Sequence, residues 1–209
     1  MLVRNFMVSD VVTLSPDQTC HAALQELQRC KVRRAPVVQN NKLVGIVSER
    51  DLLRVMPGTC AQASTIAGEA GMDLPVRDIM RTKVITLSPN DHLKQAASIM
   101  LKHQIGGVPV VQGGQLKGII TESDIFKAFY GILTSTQGWV ILFEEPAELA
   151  DAQHDYVKLC LEHGCRIHTV LKYPTPTGST MYYLCVEGAD VDAFVRKLWA
   201  MSNQVVLVE

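Results

Sequence analysis

Two short stretches, Ser48-Glu49-Arg50-Asp51 and Thr121-Glu122-Ser123-Asp124, place a hydroxyl and a carboxylate three residues apart. Each follows a glycine and two apolar residues, Gly45-Ile46-Val47 and Gly118-Ile119-Ile120, so each sits where a strand hands over to a helix. Two chemistries fit this spacing. A Ser or Thr three residues before an acid is a capping box, which satisfies backbone N–H groups that the first helical turn leaves free. The same helix start offers unpaired N–H donors and the positive end of the helix dipole, which suit a phosphate. A carboxylate one turn in can also accept from both hydroxyls of a ribose. The two readings are compatible, and the residues alone leave both open.

The residues ahead of a proline differ between the two halves. Arg33-Arg34 precede Ala35-Pro36, whereas Gly106-Gly107 precede Val108-Pro109. A planar guanidinium matches phosphate oxygens, although on the residues alone two adjacent arginines read more readily as a solvated surface pair. Gly106 and Gly107 bring no charge, but they let a flat base approach the backbone closely. His103 stands just before the diglycine, placed either to meet a phosphate or to close a helix C-terminus. His21 and His92 have no partner at metal-ligand spacing. There is no Gly-rich phosphate loop, HExxH or GxSxG, which argues against an enzyme.

These residues lie in an internal repeat. A shift of 73 residues aligns 3–56 with 76–129 without a gap, pairing Val3 with Val76, Arg4 with Arg77, Met7 with Met80, Pro36 with Pro109 and Asp51 with Asp124. Two copies exclude a solenoid and suggest a pair that buries its own faces. In the first copy VVTLSP reads as a strand ended by a Ser-Pro turn. A helix follows over about 18–31, with Cys20, Ala23, Leu24, Leu27 and Cys30 on one face. APVV and LVGIVS form a hairpin around the polar turn QNNK, and ERDLLRVM closes the unit as a helix. VITLSP, GVPVV, QGGQ, LKGIIT and ESDIFKAF repeat the pattern. The Gly-, Ala-, Ser- and Thr-rich stretch between the copies reads as a linker.

A β-α-β-β-α unit with PVV, a Gly-apolar-apolar-hydroxyl strand end and an Asp three residues later resembles a CBS domain. Two in tandem over residues 1–133 are similar to the CBS pair, or Bateman module. The resemblance implies an adenosyl ligand: AMP, ADP, ATP or S-adenosylmethionine, as a regulatory ligand with no obligatory cofactor. It implies that Ser48, Asp51, Thr121 and Asp124 contact that ligand and that Arg33 and Arg34 reach its phosphates. Gly106, Gly107, Pro36 and Pro109 join the contacts, and Thr82 and Lys83, after Met80, line the base.

Beyond a second linker near 131–138 the pattern changes. WVILFEE reads as a strand, and Pro146 opens a helix running to about His163, with Gly164 as its stop. CRIHTVLKYP and TMYYLCVEG form a hairpin around Thr175–Ser179. Asp190 caps a second helix, and QVVLV closes as a strand. The order β-α-β-β-α-β is ferredoxin-like and resembles an ACT domain. Where amino-acid-binding ACT domains carry glycine in the first turn, this chain has Glu144-Glu145-Pro146. The expected fold is therefore α+β: CBS units at 1–57 and 76–133, a linker at 58–75, and an ACT-like domain at 138–209. This combination resembles the acetoin-utilisation AcuB family.

Composition bounds the remainder. The chain has 209 residues, 47% apolar and 20% charged, as in ordinary globular proteins. A net charge of −1 argues against nucleic acid. No apolar run approaches the roughly 20 residues that span a bilayer, and with no long apolar core behind Arg4 a secretory signal is not expected. Six scattered cysteines without CxxC suggest a reduced, cytoplasmic protein. The expectation is a homodimeric, non-enzymatic regulator of a partner enzyme, with a ligand-free dimerisation scaffold as the alternative.

Overall fold

The structure, a computed structural model, describes residues 1–56, 74–134, 138–145, 156–201 and 204–208. It divides into two units, Met1–Ala128 and Phe129–Glu209.

In the first unit each repeat contributes a helix, a hairpin and a closing helix. The first supplies α1 (Cys20–Arg29), β1 (Arg34–Gln39), β2 (Lys42–Ser48) and α2 (Glu49–Leu53). The second supplies α3 (Leu93–His103), β3 (Gly107–Gln112), β4 (Gln115–Thr121) and α4 (Glu122–Thr134), whose residues from Phe129 onward fall in the second unit. The four strands form one sheet in the order β1-β2-β4-β3, and β2 meets β4 at Lys42–Gln115. Both hairpin turns need two consecutive residues with positive φ, the geometry that follows strand twist. Asn40 and Asn41 supply it at 50° and 64°, and Gly113 and Gly114 at 59° and 78°. Each hairpin also slips register after the first valine of its PVV run, Val37 or Val110, so even the irregularity repeats.

Several boundaries differ from the sequence reading. VVTLSP and VITLSP are not ladder strands; only Leu14 and Leu87 bridge, in parallel, to Val37 and Val110. Pro16 and Pro89 follow closely and lack the N–H that a longer ladder needs. The first helix is shorter than 18–31 because Thr19 caps it, its Oγ1 accepting from Ala22 N at 3.2 Å. The closing helix α2 stops at Leu53. By contrast α4 continues to Thr134, through the start of the expected second linker, with Thr134 Oγ1 donating back to Tyr130 O at 2.9 Å. Of the first linker, residues 58–73 lie outside the described residues. Leu74 and Pro75 are paired, Leu74 O accepting from Cys20 N at 2.8 Å.

The two repeats exchange their leading arms. Val3 is buried with Leu87, Leu93, Ala96 and Met100 of the second repeat, while Val76 is buried with Leu14, Cys20, Leu27 and Val37 of the first. Backbone bonds fix the exchange: Val8 and Ile119 pair through two bonds of 2.9 Å, and Arg81 and Ile46 through bonds of 2.9 and 3.0 Å. Glycines make room for it. A Cβ at Gly118 would lie 2.8 Å from both Met7 Sδ and Val8 O, and one at Gly45 would lie 2.5 Å from Met80 Sδ. The identical Val and Met pairs of the repeat are thus the plugs of this exchange.

The second unit contains β5 (Trp139–Glu145), α5 (Tyr156–Glu162), β6 (Cys165–Pro174), β7 (Thr180–Gly188), α6 (Val191–Ala200) and β8 (Gln204–Val208). Its sheet runs β6-β7-β5-β8, every neighbour antiparallel. Ile141, Phe143, Leu184, Phe194 and Leu198 are fully buried at its centre. Asp190 caps α6, accepting from Ala193 N at 3.0 Å. Gly164 follows α5 with φ +67°. The helix start placed at Pro146 falls outside the described residues. The acids before it are engaged structurally: buried Glu145 accepts from Tyr156 Oη at 2.7 Å and Tyr182 Oη at 3.2 Å, and Glu144 accepts from Ser179 Oγ. Such pairing offsets the desolvation of a buried acid. Among the described residues, no helix is long and apolar enough to cross a membrane, and no cluster of His, Cys, Asp and Glu is grouped for a metal.

Candidate functional site

The Ser48 junction is a complete capping box. Ser48 Oγ accepts from Asp51 N at 3.3 Å, and Asp51 Oδ2 accepts from Ser48 N at 3.1 Å and Ser48 Oγ at 2.5 Å. The Thr121 junction repeats half of this pattern: Asp124 Oδ2 accepts from Thr121 N at 2.9 Å and Thr121 Oγ1 at 2.6 Å. In both repeats Oδ2 therefore serves the helix start, and Oδ1 is the oxygen directed elsewhere. Asp51 Oδ1 stands 3.8 Å from Arg81 Nη2 and 4.0 Å from Arg54 Nη1. Asp124 Oδ1 stands 3.9 Å from Lys127 Nζ.

Around the first junction lies a cavity of about 560 Å³, contained in the first unit. Three elements build it. The first repeat gives Arg33, Arg34, residues 46–51 and Arg54; the exchanged arm gives Arg81 and residues 83–85; the second repeat gives residues 103–107 and Pro109. The wall is strongly basic, with Arg33, Arg34, Arg50, Arg54, Arg81 and Lys83 against the carboxylates Glu49 and Asp51. Ile46, Val47, Val84, Ile85 and Ile105 supply apolar surface beside that charge. Such a wall can hold an anionic group at one end and a flat apolar ring at the other, with a hydroxyl acceptor between them.

Arg34 decides how the halves meet. Its guanidinium fills the space at the diglycine: a Cβ at Gly106 would lie 2.6 Å from Arg34 Nη2 and 2.9 Å from Glu122 Oε2, and a Cβ at Gly107 3.0 Å from Arg34 Cδ. Arg34 thus reaches across the pair, and the room that the glycines leave holds an arginine. Burial lowers the Arg34 pKa, the nearby Glu122 carboxylate raises it, Arg33 lowers it and Asp51 raises it. A guanidinium stays charged under such shifts, so Arg34 is a partly desolvated fixed cation.

Of the residues expected from sequence, the cavity brings together Ser48, Asp51, Arg33, Arg34, Gly106, Gly107, Pro109 and Lys83. Thr121, Asp124, Pro36 and Thr82 are not among its lining residues. His103 does double duty, ending α3 and lining the wall, with Gln104 in the left-handed conformation behind it (φ 53°). Sequence reasoning missed Arg50, Arg54, Arg81, Val84 and Ile85. Arg54 carried one signal, its position three residues beyond Asp51 on the same helical face. Arg81 stood between Met80 and the expected Thr82 and Lys83, but only the exchange of arms brings it to Asp51.

Comparison with known proteins adds the following. The family model for the CBS domain matches residues 3–58 and 76–131. An uncharacterized protein of Methanocaldococcus jannaschii, MJ1225, is 33% identical over 131 residues, 61% of this chain; the chain spans 47% of that relative's length. A solved structure assigned to acetoin utilization (AcuB), from Vibrio cholerae, has TM-score 0.54 at 34% identity, covering 64% of this chain and 93% of that one. CBSX2, solved in complex with AMP, has TM-score 0.55 at 28% identity over 63% of this chain and 98% of that one. The CBS pair of MJ0100, solved with 5′-methylthioadenosine and S-adenosylmethionine, has TM-score 0.53 at 26% identity over 63% of this chain and 97% of that one.

Proposed function

Because the chain belongs to the CBS-domain family through both of its repeats, we propose that it is a non-enzymatic sensor of an adenosyl ligand, read in the Ser48–Asp51 cavity. The observation that carries this reading is the cavity wall itself: six cationic side chains converge beside an apolar patch and the carboxylate of Asp51. AMP, ADP and ATP suit that wall better than S-adenosylmethionine, whose sulfonium would meet like charge. Relatives solved with AMP, methylthioadenosine and S-adenosylmethionine support the adenosyl class. In this reading Ser48 holds the helix start, Asp51 Oδ1 accepts from the ribose, and Arg33, Arg34 and Lys83 meet phosphate. Thr121 and Asp124 hold the equivalent junction of the second repeat.

The second unit is read as a ferredoxin-like, ACT-type domain, supported by its element order and the strand order β6-β7-β5-β8. It serves as dimeriser or output, regulating a partner enzyme. The likeness to the Vibrio cholerae structure supports a link to acetoin metabolism, and the scattered cysteines without CxxC support a cytoplasmic setting. The complete capping box also favours a second reading, a dimerisation scaffold whose motifs only hold helices. A melting panel with adenosine, AMP, ADP, ATP, NAD and S-adenosylmethionine separates the two. A ligand that binds only the folded state at a hundred times its Kd stabilises by about 2.7 kcal/mol. A rise in Tm with at least one phosphorylated adenosyl compound is expected. A flat panel at millimolar concentrations overturns the sensor and leaves the scaffold.

A further inference from the structure

Asp51 has two faces, and only one belongs to the fold. Oδ2 is taken by the helix start, whereas Oδ1 stands 3.8 Å from Arg81 Nη2 and 4.0 Å from Arg54 Nη1. Oδ1 is also the oxygen left to accept from a ligand hydroxyl. A hydroxyl donor arriving there competes with the guanidinium groups for that oxygen's charge, and these then lose part of their counter-ion within a wall already rich in positive charge. A ligand with hydroxyls alone leaves that positive charge unbalanced. A ligand that brings an anion as well supplies a new partner for the released guanidinium.

We propose that Arg81, delivered by the exchanged arm of the second repeat, is a specificity-determining residue that acts by counter-ion exchange at Asp51. In the free protein it is ion-paired with Asp51 Oδ1 at 3.8 Å; in the complex it transfers to the ligand's phosphate while the ribose takes its place. Arg81 then opposes adenosine and favours phosphorylated adenosine, so one residue imposes opposite signs on two related ligands. This inference rests on the adenosyl-sensor reading of the same cavity. The arm stays in place when the side chain is cut back, because Arg81 pairs with Ile46 through its backbone N and O, at 2.9 and 3.0 Å. Its side chain is 68% exposed, so truncation opens no core cavity.

The test is calorimetric titration of the full chain with adenosine and with ADP, for the natural protein, Arg81→Ala and Arg81→Lys, at one ionic strength. In Arg81→Ala the loss of an exposed ion pair should tighten adenosine by about two- to fivefold. The loss of a charge-assisted phosphate contact should weaken ADP by on the order of tenfold. Arg81→Lys keeps the charge and should lie between the natural protein and Arg81→Ala for both ligands. If both ligands move in the same direction in Arg81→Ala, or neither moves, counter-ion exchange is wrong although the sensor reading stands. If the natural protein binds neither ligand, this inference falls, and with a flat melting panel the sensor reading falls as well.

Discussion

The diglycine of the second repeat can be made to report what it accommodates. In Gly106→Ala the new methyl would lie 2.6 Å from Arg34 Nη2, 2.9 Å from Glu122 Oε2 and 3.3 Å from Arg34 Cζ. All three atoms belong to the far ends of flexible side chains, and Gly106 does not adopt a positive φ. To reach ordinary contact the guanidinium must withdraw by about 1 Å, which rotation of a long side chain provides without moving backbone. Stability should therefore change by no more than about 1 kcal/mol. Binding should change more, because Arg34 leaves the position from which it lines the wall. Loss of one charge-assisted contact is worth about 1.5–3 kcal/mol, at least tenfold in Kd for AMP or ADP. Adenosine has no phosphate and should bind as before. The control is Gly118→Ala, whose methyl meets backbone Val8 O at 2.8 Å as well as Met7 Sδ at 2.8 Å. There the arm itself must shift, which should cost on the order of 1–3 kcal/mol in urea unfolding. Titration of Gly106→Ala with adenosine and AMP decides the matter. Equal losses for both would show that the glycines serve the base, and no loss for either would show that the Arg34 contact is idle.

Four further outcomes follow from the same geometry. Arg33→Ala/Arg34→Ala should bring ATP, ADP and AMP toward the affinity of adenosine and flatten the salt dependence, since exposed charges are screened over about 8 Å at physiological ionic strength; an unchanged ranking by calorimetry would place both arginines outside the binding event. Asp51→Ala and Asp124→Ala should each lower stability by about 1 kcal/mol through loss of the helix start, while Asp51→Ala alone abolishes AMP binding in the first cavity; equal destabilisation with unaltered binding would leave only the cap. Burial, and then Asp78, push the Cys20 thiol up to about 11 from 9.0. A raised folded pKa means stability is intact below pH 9 and falls between pH 9 and 11, so Tm in that window should fall less steeply in Cys20→Ala than in the natural protein, and identical slopes would contradict the assignment. Light scattering at micromolar concentration should return a dimer of the 23.1 kDa chain, and a single monomeric species would refute self-association.

The hairpins were legible because their chemistry is local. QNNK and QGGQ need positive φ at two successive positions, and Asn and Gly are the residues that supply it. Asp190 as a cap and Gly164 as a stop are equally local. The exchange of arms was illegible for a reason built into a repeat. Val3 and Val76, like Met7 and Met80, are identical, so either arm satisfies either core by composition, and no residue states which core it enters. The approach of Arg81 to Asp51 was invisible on the same account. The contrast of Arg33-Arg34 with Gly106-Gly107 was plain in the sequence, but their contact with one another was not. Residues one repeat apart touch only if a pseudo-dyad brings them face to face.

The site's meaning therefore lies where the copies differ. Both junctions keep a hydroxyl and an acid because both helix starts need them, and Asp51 and Asp124 each spend Oδ2 on that task. A motif held by folding is poor evidence for a ligand, however often it recurs. Charge is better evidence, because no helix start requires it. At the positions equivalent to Arg33, Arg34, Arg50, Arg81 and Lys83 the other repeat has Gly106, Gly107, Ser123, Val8 and Asp10; only Arg54 keeps a basic counterpart, in Lys127. Five cations absent from the equivalent positions, with a carboxylate among the replacements, leave the two junctions with one skeleton and opposite electrostatics. The basic wall at Ser48–Asp51 crowds like charges together, and such crowding opposes folding unless an anion relieves it. The fold does not call for this concentration of positive charge, and a phosphate would relieve it.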